Sequence, residues 1–374
     1  MKSEIEVFRI LCMFGIVWFH SGVEVCRVVG HGGVFFFVII SVYFAATSRR
    51  RHSLAERTER LLLPCLVWSL FYGIISYVRR GHFFPEGYTL PSMLLATPSI
   101  HLWFLPFLFI VLTGIEYGRT ILQSRAVALL AGVGAIVSLL FAPAWQEVRL
   151  ADPFVQYLYS VPAILIGIFF SCFGLLNISL SRLITTAIVV SLLILTVVCH
   201  SEVGVLYLVG VLPCVFLFRS NMILGDSRLL LLISSSVYGI YLSHPFWQMV
   251  LRYVGVTSYI LPLATFILSM SSILLLRRWL SPAVNRVKYI LNQQMPSRGI
   301  TGLAADHAQE DQSAAAENCA CGDVQYVNNH EETVVPPPLA QNRPSRQPAM
   351  FDLSGWKGFS DPGVGLPGRW PEDP

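Results

Sequence analysis

Ten apolar runs, each close to the length needed to cross a lipid bilayer, dominate this chain and leave few other folds open. Against a hydrocarbon core of about 30 Å, they fall at roughly 7–26, 32–48, 61–78, 102–118, 124–144, 156–177, 183–200, 203–219, 229–251 and 256–276. The second is short for a span. Helices satisfy their backbone hydrogen bonds internally, so runs of this length in lipid are read as helices. The expectation is an all-α polytopic membrane protein with about ten transmembrane helices. Prolines 64, 106, 162, 213, 245 and 262 lie inside these runs and do not argue against helices, because neighbouring segments can re-satisfy the freed groups.

Charge agrees with that reading. Charged residues make up 13% of the chain and mean hydropathy is +0.61, whereas ordinary globular chains carry about 25% charged residues. The net charge of +4 gathers as Lys and Arg in the loops. It is therefore a topology signal, not a sign of a nucleic-acid partner. With the N-terminus in the cytoplasm, the inner loops hold Arg49, Arg50, Arg51, Arg57, Arg60, Arg119, Arg125, Arg182, Arg219 and Arg228, and the outer loops hold only Arg27, Arg79, Arg80, Arg149 and Arg252. Both termini are expected in the cytoplasm. Glu4, Glu6 and Arg9 spoil the basic start of a cleavable signal. Six cysteines lie in or beside apolar runs and read as small hydrophobes. Cys319 and Cys321 alone make no zinc site.

Two domains are expected. Residues 1–296 form the transmembrane domain, and residues 297–374 form a polar, Pro-rich tail expected to be disordered and cytoplasmic. Removing that tail is expected to leave activity intact.

Polar groups inside the apolar runs are the candidates for chemistry. In the first run, Arg9 and His20 are eleven positions apart, which at 100° per residue puts them within about 20° of one face and about 16 Å apart along the axis. Arg9 then sits near the cytoplasmic surface and His20 past mid-membrane. A snorkelling Arg and a hydrogen-bonded His would account for each alone. Their shared face favours function, with His20 as a general base toward a hydroxyl. Arg57 and Arg60, at i and i+3, share a face on which two guanidinium groups would suit a phosphate, although topology also explains basic residues there. Trp103, in His101-Leu-Trp-Phe-Leu-Pro106, reads equally as part of an aromatic belt. Tyr241 and His244 share a face of the ninth run, where interhelical hydrogen bonding is at least as good a reading. Glu116 reads by default as a snorkelling interfacial carboxylate. No phosphate-binding glycine loop, His-Glu-x-x-His or Gly-x-Ser-x-Gly occurs.

Together, in this order, these motifs resemble the membrane-bound acyltransferase-3 family, whose members O-acylate sugars of envelope and exported glycans. The similar residues are Arg9 with His20, Arg57-x-x-Arg60, Leu102 to Leu105, and Tyr238 to His244, and the resemblance covers about residues 4–280. Two departures stand out. Val42 occupies a place where the family typically has glycine for close backbone approach, and Ile10 follows Arg9 where glycine is common. The resemblance implies an acyl-CoA:saccharide O-acyltransferase of the cell inner membrane with no metal, taking acetyl-CoA or succinyl-CoA as donor. The acceptor would be a lipid-linked or exported glycan, as in exopolysaccharide synthesis with O-acetylation or succinylation. Arg9 and His20 would be catalytic, Arg57 and Arg60 would hold the donor's phosphates, and Trp103, Tyr241 and His244 would face the substrate. The rival expectation is a polysaccharide flippase, which explains the helices and His20 but not a paired Arg57 and Arg60.

Overall fold

The computed structural model describes residues 3–142, 144, 150, 152–219 and 227–294. The expected disordered tail, 297–374, lies outside them. The chain divides into two units after Arg277. Among the described residues the second unit consists only of helical residues 278–294, and the first holds the helical bundle.

Among the described residues every regular element is helical. In chain order these are α1 (Ser3–His20), α2 (Arg27–His31), α3 (Gly33–Thr47), α4 (Leu54–Arg57), a π-turn (Thr58–Leu62), α5 (Leu63–Arg80), α6 (Leu90–Leu95), a 3₁₀ turn (Ile100–Trp103), α7 (Phe104–Tyr117), α8 (Arg119–Leu122) and α9 (Arg125–Leu140). Then come α10 (Phe154–Ser171), a 3₁₀ turn (Phe173–Leu175), α11 (Ile178–Val197), α12 (Glu202–Arg219), α13 (Arg228–Tyr253) and α14 (Ile260–Gln294). Each of the ten expected runs contains one long helix. Among the described residues seven stretches are long and apolar enough to cross a membrane, α9 and α12 are shorter apolar helices, and α1 carries Glu4, Glu6 and Arg9. The second run, expected to be short, gains α2 and becomes a stretch of 21 residues, Arg27–Thr47.

Local chemistry sets the ends. Ser53 caps α4 in a reciprocal capping box with Glu56. Ser124, Asn177 and Ser227 each accept a backbone N–H at the start of α9, α11 and α13. Pro64 and Pro106 fall in first turns, where their missing N–H is not needed, while Pro162, Pro213 and Pro245 lie in helix interiors.

α3 is apolar around its whole circumference, and such a helix belongs at the centre of a bundle. It packs against α1, α7, α10 and α12. Glycines on neighbouring helices let the backbones approach, as expected where lipid offers no hydrophobic drive for association. A Cβ on Gly30 would lie 2.3 Å from the carbonyl oxygen of Gly15, so α2 and α1 meet backbone to backbone. The close approach that Val42 put in doubt is supplied from across the interface: a Cβ on Gly167 of α10 would lie 2.8 Å from Cβ of Val42.

Candidate functional site

Arg9, Met13, Ile16 and His20 recur at helical spacing along one stripe of α1. The last three line a cavity of about 190 Å³. Its wall also takes residues from α2 and the start of α3 (Arg27, His31, Val34), the 3₁₀ turn before α7 (Ile100, His101, Trp103), the first turns of α10 and α12 (Gln156, Glu202, Leu206), and α13 (Val237, Tyr238, Tyr241). His20 is half-buried because one side opens on this space. Its Nδ1 is buried with no hydrogen-bond partner among the described residues, which leaves Nε2 as the nitrogen available to the cavity.

Three imidazoles cluster here. The rings of His20, His101 and His244 have centres 6.1 Å (His20 to His101), 5.2 Å (His20 to His244) and 5.6 Å (His101 to His244) apart. Each comes from a different helix end or face, separated by up to 224 residues of chain. His101 is held by Ser99, whose hydroxyl is 3.0 Å from Nδ1, and the Tyr241 hydroxyl donates to the His101 carbonyl. His244 is oriented by its own helix. Pro245 has no N–H to give to the carbonyl four residues back, which is that of Tyr241. His244 Nδ1 donates to this vacant oxygen at 2.7 Å, so the proton of the neutral ring sits on Nδ1 and Nε2 is bare.

α13 also clasps the end of α1 that carries His20. Gln248 Nε2 donates to the Val17 carbonyl at 2.9 Å, and Arg252 donates to the Ser21 carbonyl at 2.9 Å. The Val17 carbonyl also accepts the backbone N–H of Ser21 at 3.1 Å, and the Ser21 carbonyl lies just past the end of α1. Phe19 and His31 stack with centres 4.4 Å apart, and Arg27 lies 5.4 Å over the Phe19 ring. Gln156 donates to Asp152 at 2.8 Å. In the loop nearby, burial and the Asp152 carboxylate push the Tyr88 hydroxyl up to about 12, so it stays protonated and able to donate.

The other end of the bundle holds a separate ionic cluster. The distance from Phe104 to Glu116 along α7 is about 18 Å. There Arg57 donates to Glu116 at 2.7 Å and Arg119 to the same oxygen at 3.3 Å. Arg119 also donates to the carbonyls of Ser48 (2.7 Å) and Ala45 (2.8 Å), closing the end of α3. Glu116 is thus a half-buried counter-ion to two arginines, not the snorkelling interfacial carboxylate expected from the sequence. A carboxylate between two guanidinium groups is held more strongly than one at a wet surface. The π-turn Thr58–Leu62 winds wider than an α-helix and turns Arg60 away from the face of Arg57. Arg57 is buried and Arg60 is half-buried. The Tyr238 hydroxyl reaches the Arg60 carbonyl at 3.5 Å.

Of the residues singled out from sequence, His20, Trp103 and Tyr241 line one cavity. His244 is fully buried behind it, against His20 and His101. Arg9 is buried beneath, donating to Glu6 at 2.8 Å. Arg57 and Arg60 belong to the far end. His101, Gln248, Arg252 and Glu116 were not singled out as site residues. A His ahead of Leu-Trp-Phe-Leu was visible in the sequence, but nothing local separates it from an interfacial ring. Among the described residues no group of three His, Cys, Asp or Glu has the geometry to hold a metal ion. A family model described as an acyltransferase domain, acyltransferase-3, matches residues 2–276. No curated protein and no solved structure matches the chain.

Proposed function

The chain belongs to the acyltransferase-3 family and is a multi-pass membrane acyltransferase, and from that premise we propose that it moves an acetyl or succinyl group from acyl-CoA to a hydroxyl of an exported or lipid-linked saccharide. The observation that carries this reading is the placement of His20. An imidazole with one nitrogen facing the cavity is the group a hydroxyl needs as general base. The walls suit a sugar next to a small acyl group. Trp103 is aromatic, Arg27, Gln156 and Glu202 offer polar groups, and Met13, Ile16, Val34 and Val237 are apolar.

The donor enters from the end that carries Arg60. Arg60 is half-buried and in no ion pair among the described residues, so its guanidinium is available to the phosphates of CoA. Arg57, tied to Glu116, holds that end together and adds positive potential. Tyr238 spans from the Arg60 carbonyl to the cavity wall, so the pantetheine arm passes it to bring the thioester up the stripe from Arg9 toward His20. With the termini in the cytoplasm of the inner membrane, the acceptor arrives from the opposite side. His20 takes the hydroxyl proton, the oxygen attacks the thioester carbon, and the carbon–sulfur bond breaks as the sulfur takes that proton and leaves as a thiol.

The test compares the host's exported polysaccharide by mass and proton NMR with the gene intact, deleted, and replaced by His20→Ala. Loss of one ester from an otherwise normal polymer in both altered strains is the expected result, and the lost mass identifies the acyl group. A polymer that keeps its esters while its amount collapses overturns the reading in favour of transport.

A further inference from the structure

Nδ1 of His20 and Nε2 of His244 are buried ring nitrogens with no hydrogen-bond partner among the described residues. Their rings have centres 5.2 Å apart with planes at 45°. No hydrogen bond joins the two nitrogens as the rings stand, but at this separation of centres a turn of the His20 ring brings its Nδ1 to about 3 Å from Nε2 of His244, hydrogen-bond range.

The two vacancies are chemically complementary. His244 has committed Nδ1–H to the Tyr241 carbonyl, so its Nε2 is an acceptor. His20, if its Nε2 is to receive a proton from the cavity, carries its own hydrogen on Nδ1. A buried donor or acceptor left unmade costs about 1–3 kcal/mol, and a contact between these two satisfies both.

We propose that His244 is the positioning partner of His20: its Nε2 accepts the Nδ1–H of His20, holds the tautomer in which Nε2 faces the hydroxyl, and shares the charge when His20 becomes an imidazolium. This rests on the acyltransferase reading above. In the step itself the acceptor hydroxyl gives its proton to His20 Nε2 while its oxygen bonds to the thioester carbon. The tetrahedral intermediate then collapses, the carbon–sulfur bond breaks, and the departing sulfur takes the proton back from Nε2 as a thiol. His244 gains and loses no proton over the cycle.

In most base–orienter pairs a carboxylate does this work. The charged and titratable groups facing His20 are His101, His244, His31 and Arg27, and Glu202 lines the same cavity. An ionised carboxylate buried within the bundle is costly, whereas a neutral imidazole orients its neighbour without burying a charge. The Pro245 that frees the Tyr241 carbonyl is thereby part of the device, since it fixes which nitrogen His244 presents.

The experiment uses the full chain in lipid nanodiscs. The donor is the acyl-CoA identified by the lost polymer mass, and the acceptor is the ester-free polysaccharide of the deletion strain. Size-exclusion profiles control for insertion. His244→Phe keeps a ring and removes the acceptor, and kcat is expected to fall about a hundredfold with KM for both substrates unchanged. His244→Gln restores an acceptor oxygen and should recover most of that loss. The proposal is overturned if a well-inserted His244→Phe keeps wild-type kcat, if its defect falls in KM, or if His244→Gln is as impaired as His244→Phe. His20→Ala in the same assay separates the claims. If it remains fully active, the functional reading itself fails; if it is inactive while His244→Phe is normal, only the pairing fails.

Discussion

The carbonyl oxygen of Tyr241 accepts a hydrogen bond from His244 Nδ1 at 2.7 Å, and it is open to do so because Pro245 brings no N–H to the helix ladder. Restoring that N–H with Pro245→Ala places a backbone competitor on the same oxygen and loosens His244. Turnover is expected to drop about tenfold, a modest share of what a positioned acid–base group contributes. Melting temperature should hold or rise, because interior proline disfavours a helix by about 3 kcal/mol. Unchanged turnover in a normally inserted variant would show that the proline has no part in orienting the ring.

Glu116 stands between Arg57 and Arg119, with its side chain 13% exposed and that of Arg57 8% exposed. Removing it leaves the buried Arg57 and the half-buried Arg119 without this counter-charge, and breaking a buried pair costs about 3–5 kcal/mol. Glu116→Ala should therefore melt well below wild type in a detergent thermal-shift assay. An unshifted melt would mean the pair is solvated.

Arg57 and Arg60 should separate in their effects although they are three residues apart. Arg60→Ala should raise KM for acyl-CoA about tenfold, as expected for one charge-assisted phosphate contact of about 1.5–3 kcal/mol, with the melting temperature unchanged. Arg57→Ala should lower the melting temperature as well. Steady-state kinetics paired with melts would decide this, and equal melting loss in both variants would contradict the different burial of the two side chains.

The contact between Gly167 and Val42 makes a compensation that can be measured. Gly167→Ala forces a Cβ to 2.8 Å from Cβ of Val42, and overpacking of this kind costs about 1–3 kcal/mol. Val42→Gly in the same chain should restore most of that loss. A double-mutant cycle with no coupling between the two positions would indicate that α3 and α10 slide apart at little cost.

Much of this molecule is legible in the order of its residues. Run length against bilayer thickness marks the long helices, most to within about two turns although α14 continues to Gln294, well past the run expected to end at 276, because hydropathy is a property of consecutive side chains and needs no partner. Helix period likewise places Arg9, Met13, Ile16 and His20 on one stripe. The Ser53–Glu56 capping box and the first-turn prolines are equally local. The pairing of Arg57 with Glu116 was not legible, because it joins residues 59 apart and each reads on its own as an interfacial charge. The π-turn also turned Arg60 off a face that α-helical spacing had given it.

By itself the sequence determined that this chain is helical, that its helices are long and apolar enough for a membrane, and which residue types inside them carry chemistry. Only the tertiary structure decided that His20, His101 and His244 meet, and that Gln248 of α13 holds the carbonyl of Val17, 231 residues earlier. The physical reason lies in the solvent. A helix in lipid can be apolar on every side, so periodicity no longer reports which face is inward. Partners are then chosen by glycine contacts and a few polar side chains, and those choices are made between helices, where a linear sequence has no coordinate.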